Sequence, residues 1–166
     1  MYTRLPALLL LTLVSACEPS STHSEATATS TESPFPKPAL VYDVTQLAGK
    51  SPQQVQQLLG KPDQARAEAV RTAPCGRVPC GRHTYQQGRF DIVFIQHKAD
   101  WITINGIAEP LTDEAIQALG LPATTPSFQS RDNVIRWRSV KNLQEVSAFS
   151  NGSGGISYFY VKCTTL

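Results

Sequence analysis

The feature that most narrows what this chain can build is a short segment that occurs twice. Residues 51–62 read SPQQVQQLLGKP and residues 111–122 read LTDEAIQALGLP. Each is a compact helix signal closed by Gly-x-Pro. In the first copy Ser51 is an N-cap, Pro52 takes the first helical position, Gln54 stands where a capping box needs it, and Gly60 is the stop. Val55, Leu58 and Leu59 fall at i, i+3 and i+4, which predicts one apolar stripe with the glutamines turned to water. In the second copy Thr112 is the N-cap, Asp113 and Glu114 occupy the first turn where the helix dipole favours negative charge, and Gly120 stops the helix. Ala115, Ala118 and Leu119 repeat the stripe. A shorter signal, Asp43 to Gly49, has a capping residue, a Gln three positions on and a Gly stop, and predicts a helical turn or two.

Each helix is succeeded by sequence patterned for strands. After the first come His83–Gln87, Phe90–Ile95 and Trp101–Asn105, with Phe90, Ile92 and Phe94 alternating against Asp91 and Val93. After the second come Val134–Ser139, Glu145–Phe149 and Ile156–Lys162, with Asn142 and the NGSGG of Asn151–Gly155 at the turns. Two helix-plus-three-stranded-meander units, about 43–106 and 107–163, predict an α+β two-layer fold: an antiparallel sheet with helices on one face, in a single domain over 39–166.

The N-terminus carries a different message. Met1–Arg4 holds one positive charge and Leu5–Val14 is an apolar run, too short for a permanent span and typical of a signal peptide over 1–16. The run ends Leu13-Val14-Ser15-Ala16-Cys17, which resembles the bacterial lipobox. By that resemblance Cys17 is the acylated N-terminus of the mature protein, anchored to a membrane through lipid. Glu18 is not the Asp that would hold such a protein at the inner membrane, so the expected location is the cell envelope at the outer membrane. The competing reading is an ordinary secretory signal cut after Ala16, leaving a free thiol. Residues 17–38 are rich in Ser, Thr, Glu and Pro and cannot bury enough apolar surface to order themselves. They predict a tether that reaches at most about 70 Å when extended.

The tandem units, with G-K-S-P-Q-Q-V-Q-Q-L-L-G-K-P-D over Gly49–Asp63, resemble the superfamily joining the β-lactamase-inhibitor-like proteins to the small BamE-like (SmpA/OmlA) outer-membrane lipoproteins. The resemblance covers about 40–163 and implies a non-catalytic protein-binding or envelope-assembly module. Its motif is a helix-capping pattern, so it implies no catalytic or contact residue here.

Four cysteines and aromatic residues from several strands supply the candidate chemistry. With Cys17 acylated, Cys75, Cys80 and Cys163 remain for an oxidising compartment, and Cys75 and Cys80, in the doubled Pro-Cys-Gly-Arg of Ala73–His83, are the natural disulfide. The alternative is a small periplasmic redox or zinc protein using Cys75, Cys80, His83 and Cys163. Its spacing is not a common zinc knuckle, and no thiol is placed for a lowered pKa. Arg66, Arg71, Arg77, Arg82 and Arg89 face only Glu68 in their window, and a basic stapled loop is a candidate dock for acidic partners or lipid headgroups. Trp101, Trp137, Tyr158, Phe159 and Tyr160 mark strands in which Ile156–Val161 is apolar or aromatic on both faces, so that strand is either covered on both sides or part of a recognition surface. The candidate binding surface is therefore Arg77, Arg82, Trp101, Trp137, Tyr158 and Tyr160. Whole-chain net charge is only +2, and Arg4 in the leader is part of it, so no field for nucleic acid exists. The chain contains no Gly-x-Ser-x-Gly, His-Glu-x-x-His or phosphate loop, and neither a cofactor, a metal nor an enzymatic activity is expected.

Overall fold

A computed structural model of the protein describes residues 37–68, 75, 78, 80–130 and 132–164. The expected signal peptide, Cys17, nearly all of the tether, Arg71 and Arg77 lie outside the described residues. The described chain begins with residues 37–41, which are tied down by a hydrogen bond from the Val41 amide to the Ala118 carbonyl at 2.8 Å. Asp43 then caps a single 3-10 turn, Val44–Gln46, by accepting from the Thr45 amide at 3.1 Å.

Helix α1, Pro52–Leu59, has the punctuation its sequence dictates. The Ser51 amide donates to Gln54 Oε1 at 2.9 Å and the Gln54 amide donates to Ser51 Oγ at 3.3 Å, a reciprocal capping box. Such a cap is worth about 1 kcal/mol. Val55 and Leu59 are buried, whereas Leu58 is 45% exposed, so the apolar stripe is narrower than its spacing suggests. The second copy, Asp113–Leu119, is a 3-10 segment whose Thr112 side chain makes no capping bond, yet it buries Ala115, Ile116, Ala118 and Leu119.

The strands are β1 Gln64–Glu68, β2 Cys80–Tyr85, β3 Phe90–Ile95, β4 Lys98–Asn105, β5 Phe128–Ser130, β6 Val134–Val140, β7 Leu143–Ser150 and β8 Ile156–Cys163. All belong to one antiparallel sheet in the order β1-β2-β3-β4-β8-β7-β6-β5. This overturns the expected α+β two-layer fold of three-stranded meanders. Among the described residues 44% are strand and 15% helix, and helices are confined to short segments. The physical reason lies at the sheet edges and in the second repeat. QARAE and FQS lack the β-branched alternation of a buried strand but still pair as edge strands β1 and β5, making each meander four-stranded. The second Gly-x-Pro segment winds tightly instead of forming an α-helix.

The sheet sorts its side chains by period two. Tyr85, Phe90, Ile92, Ile102, Ile104, Ile135, Trp137, Val146, Ala148, Phe159 and Val161 share one face and form a core with Val44, Leu47, Val55, Leu59, Ile116 and Leu119. A bulge near Val93 and Phe94 makes Asp100 the extra residue of β4 and buries it to 4% exposure. The amides of Gly49 and Ala99 exchange bonds with the carbonyls of Ala99 and Lys50 at 2.9 and 2.8 Å, pinning the 3-10 turn to β4.

Candidate functional site

The face of the sheet turned away from the core carries the candidate site, because among the described residues the helical segments pack on the other face. Alternation decides who stands there. In β8, Phe159, Val161 and Cys163 point to the core while Tyr158, Tyr160 and Lys162 point out. In β4 the outward residues are Trp101, Thr103 and Asn105; in β7 they are Glu145, Ser147 and Phe149; in β6, Val134, Arg136 and Arg138. Cross-strand register then brings these together: Trp101 lies opposite Lys162, Thr103 opposite Tyr160, Lys162 opposite Glu145, and Glu145 opposite Arg138.

The rings are locked against one another. Trp101 and Tyr160 meet edge to face with centroids 5.3 Å apart, and Phe149 stacks on Tyr158 at 4.7 Å. Lys162 Nζ lies 5.5 Å from the Trp101 ring centre, and the Arg136 guanidinium lies 5.8 Å from that of Phe128. Glu145 organises the cations. Arg136 Nε is 3.1 Å from Glu145 Oε1 and Arg138 Nε is 3.6 Å from Glu145 Oε2. Arg136 Nε also donates to Ser147 Oγ at 3.2 Å. A hollow of about 580 Å³ opens among Trp101, Arg138, Gln144, Glu145, Tyr160 and Lys162. Burial, reinforced by the charges of Asp100 and Glu145, holds the Tyr160 hydroxyl well above the usual tyrosine value, so it stays a protonated donor.

The first meander adds a smaller basic cluster to the same face. Arg82 grips Asp91, its Nε 2.8 and 3.1 Å from the two carboxylate oxygens and its Nη2 on Oδ2. Arg66 lies directly opposite Arg82 in the register. Arg82 is therefore a strand residue of the open face and not part of a stapled loop. Trp137 also departs from its expected place. It is fully buried on the core face, and its Nε1 donates to the Thr124 carbonyl at 2.9 Å. It shares that face with Ile135, while its neighbours Arg136 and Arg138 reach the open side. Of the expected surface residues, then, the structure brings together Trp101, Tyr158 and Tyr160, sets Arg82 two strands beyond Trp101, and places Trp137 in the core.

Lys162, Arg136, Arg138, Glu145 and Phe149 are open-face residues that the expected binding surface did not include. Period-two counting from Tyr160 finds Lys162, but Glu145 and Phe149 join it only through the pairing of β7 with β8, and Arg136 and Arg138 through that of β6 with β7.

The cysteine and histidine set does not converge. Cys75 and Cys80 are joined by a disulfide, with Cα atoms 5.8 Å apart. Cys163 is a buried free thiol on β8, which β3 and β4 separate from β2, a distance of about 14 Å at ordinary strand spacing. Burial, helped by Asp100 and opposed by the Gly49 amide, pushes the Cys163 thiol up to about 12, which makes it inert. Among the described residues no three His, Cys, Asp or Glu side chains assemble as a metal site. His83 stands on the core side, its Nδ1 3.2 Å from the Tyr85 hydroxyl and its ring 4.9 Å from Phe94. It borders a separate hollow of about 540 Å³ whose floor is Ala65, Ala67 and Gly81.

Comparison with protein families, with characterised proteins and with solved structures finds no match. Among the described residues no helix is long and apolar enough to cross a membrane.

Proposed function

We propose that the protein is a lipid-anchored cell-envelope component whose open sheet face is a non-catalytic protein-binding surface. The observation that carries this reading is the composition of that face. Trp, Tyr, Phe and Arg are the side chains enriched at the centres of protein interfaces, and here they are gathered on one side of one sheet with their rings already fixed by neighbours. A surface held in this way loses little side-chain freedom on binding. The anchor rests on the lipobox at Ser15-Ala16-Cys17.

Both parts have direct tests. Cys17→Ser is expected to abolish incorporation of a labelled fatty acid and to release the protein from the membrane fraction. A Trp101→Ala, Tyr160→Ala double variant is expected to keep its secondary structure by circular dichroism. In cells, its yield of cross-linked partner falls by about tenfold or more, the loss of a pair of interface hot-spot rings. An unchanged yield would remove the open face as the interface.

A further inference from the structure

We infer that the partner's contacting surface is acidic, with carboxylates that enter the hollow beside Trp101 and Tyr160. The inference rests on the reading of the open face as a protein-binding surface, and it specifies that partner's chemistry.

The charge layout carries it. Across β6, β7 and β8 the outward cations are Arg136, Arg138 and Lys162, and the outward carboxylate is Glu145 alone. Glu145 divides its two oxygens between the two arginines, one to each, so neither guanidinium has a carboxylate to itself. Lys162 Nζ lies over the Trp101 ring, and both residues line the hollow. Asp100 is the other acid near these groups, and at 4% exposure it sits behind the surface, where a partner cannot meet it. Counting it still leaves the cations in excess. The Tyr160 hydroxyl, kept protonated, adds a donor to the same wall, and Gln144 adds an amide.

Apart from the shared Glu145, the charged groups at this hollow are thus cations, Arg138 and Lys162, flanked by ring faces and by the neutral hydroxyls and amide of Ser139, Tyr160 and Gln144. A carboxylate borne next to apolar side chains matches it: the charge meets Lys162 and Arg138 while the apolar neighbours cover Trp101 and Tyr160. Opposed basic and acidic surfaces also speed encounter and exclude wrong partners. A second copy of this chain is disfavoured on the same ground, since two such faces would bring cations against cations.

The test uses the full-length protein in the cells that make it, with a photo-crosslinking residue at Thr103 on the open face and, separately, a zero-length carbodiimide that joins amines to carboxylates. The expected result is a protein captured at Thr103 and, in the same complex, a Lys162 amide to an Asp or Glu of that protein, read by peptide mass spectrometry. Lys162→Glu and Arg138→Glu should each lower capture at Thr103 by about tenfold. Lys61→Glu, beyond the end of helix α1, should leave it unchanged. Exchanging the linked partner carboxylate for Lys should restore capture by Lys162→Glu. Capture at Thr103 that is indifferent to these charge reversals, or that lacks a Lys162 link, overturns the acidic partner while the protein-binding reading stands. Capture of a second copy, of a glycan or of lipid overturns the inference, and the last two overturn the reading as well. Absence of any capture at Thr103 overturns both.

Discussion

His83 shows how one side chain's surroundings set a measurable property. It lies on the core side of β2, between the Tyr85 hydroxyl and the Phe94 ring, and burial lowers its affinity for a proton. The unfolded chain takes up that proton as the pH falls through about 6.5, whereas the folded protein resists it until the pH is lower. The unfolded state therefore binds more protons in that window, and stability, full above the ordinary histidine value, declines as the pH drops below it. His83→Gln is expected to flatten the fall in the urea midpoint between about pH 7.5 and about pH 5. An equal fall in both proteins would show that other groups cause it. Trp137 teaches the complementary lesson. Its residue type suggested a surface anchor, but Ile135 and Trp137 lie two apart with Arg136 and Arg138 interleaved, and it is this alternation, not ring size, that assigns the face.

At the level of elements, turn chemistry and strand pattern diverge. The hairpin joining β3 to β4 turns through Gln96 and His97, both at positive φ, 50° and 62°. Two-residue turns of this kind prefer Asn-Gly, because a Cβ at positive φ costs about 1 kcal/mol or more. Replacing Gln96-His97 by Asn-Gly is expected to raise stability by about 1 kcal/mol, read as a higher urea midpoint with an unchanged slope. The β2–β3 connection is longer, Gln86–Arg89, with Gln86, Gln87 and Gly88 at φ 53°, 58° and 80° and the Arg89 amide donating to the Gln86 carbonyl at 3.2 Å.

Much of this scale is legible in residue types. The capping box at Ser51 and Gln54 is written there, β3 announces itself by alternation, and β8 shows as a run that is apolar or aromatic on both faces. Strands β1 and β5 are not legible, because an edge strand is stabilised by its neighbour's backbone and need not carry an apolar face. Nor does a sequence distinguish a 3-10 segment from a short α-helix when both bury the same residues, as Asp113–Leu119 does. Gly120 is a place where legibility and structure agree for a reason beyond stopping a helix. At φ 70° it lets Asp43 approach so closely that a Cβ would stand 3.0 Å from the Asp43 carboxyl carbon, so the two helical caps share one contact.

The whole molecule is one paired sheet, and the Cys75–Cys80 disulfide adds a local tie at its β2 end, closing a segment with a sequence separation of 5. For a loop of this size the chain-entropy model gives about 2 kcal/mol, so Cys75→Ser with Cys80→Ser is expected to lower unfolding free energy by about that amount while the near-ultraviolet signal of the distant Trp101 and Trp137 survives. Loss of that signal would mean that the staple organises the sheet and not its edge alone. The open face is a property of the same scale. Its residues come from all eight strands, and no one of those segments reveals it. That explains why single aromatic residues are visible in the sequence while the charge excess around them is not: Lys162 and Glu145 become neighbours only when β7 and β8 pair.

The middle of the sheet is where strand order departs from chain order. β4 closes the first meander, yet its outer edge is covered by β8, the last of these strands in chain order. Throughout synthesis of the intervening segment, the first meander would hold that edge bare, with Ile102 and Ile104 beside it, until β8 emerges to pair. Such a half-built sheet is a substrate for chaperones and a template on which β8 from a neighbouring molecule could settle, exchanging halves between copies. In this topology the centre of the sheet is completed by β8, which follows β5, β6 and β7 in the chain, rather than by an edge strand.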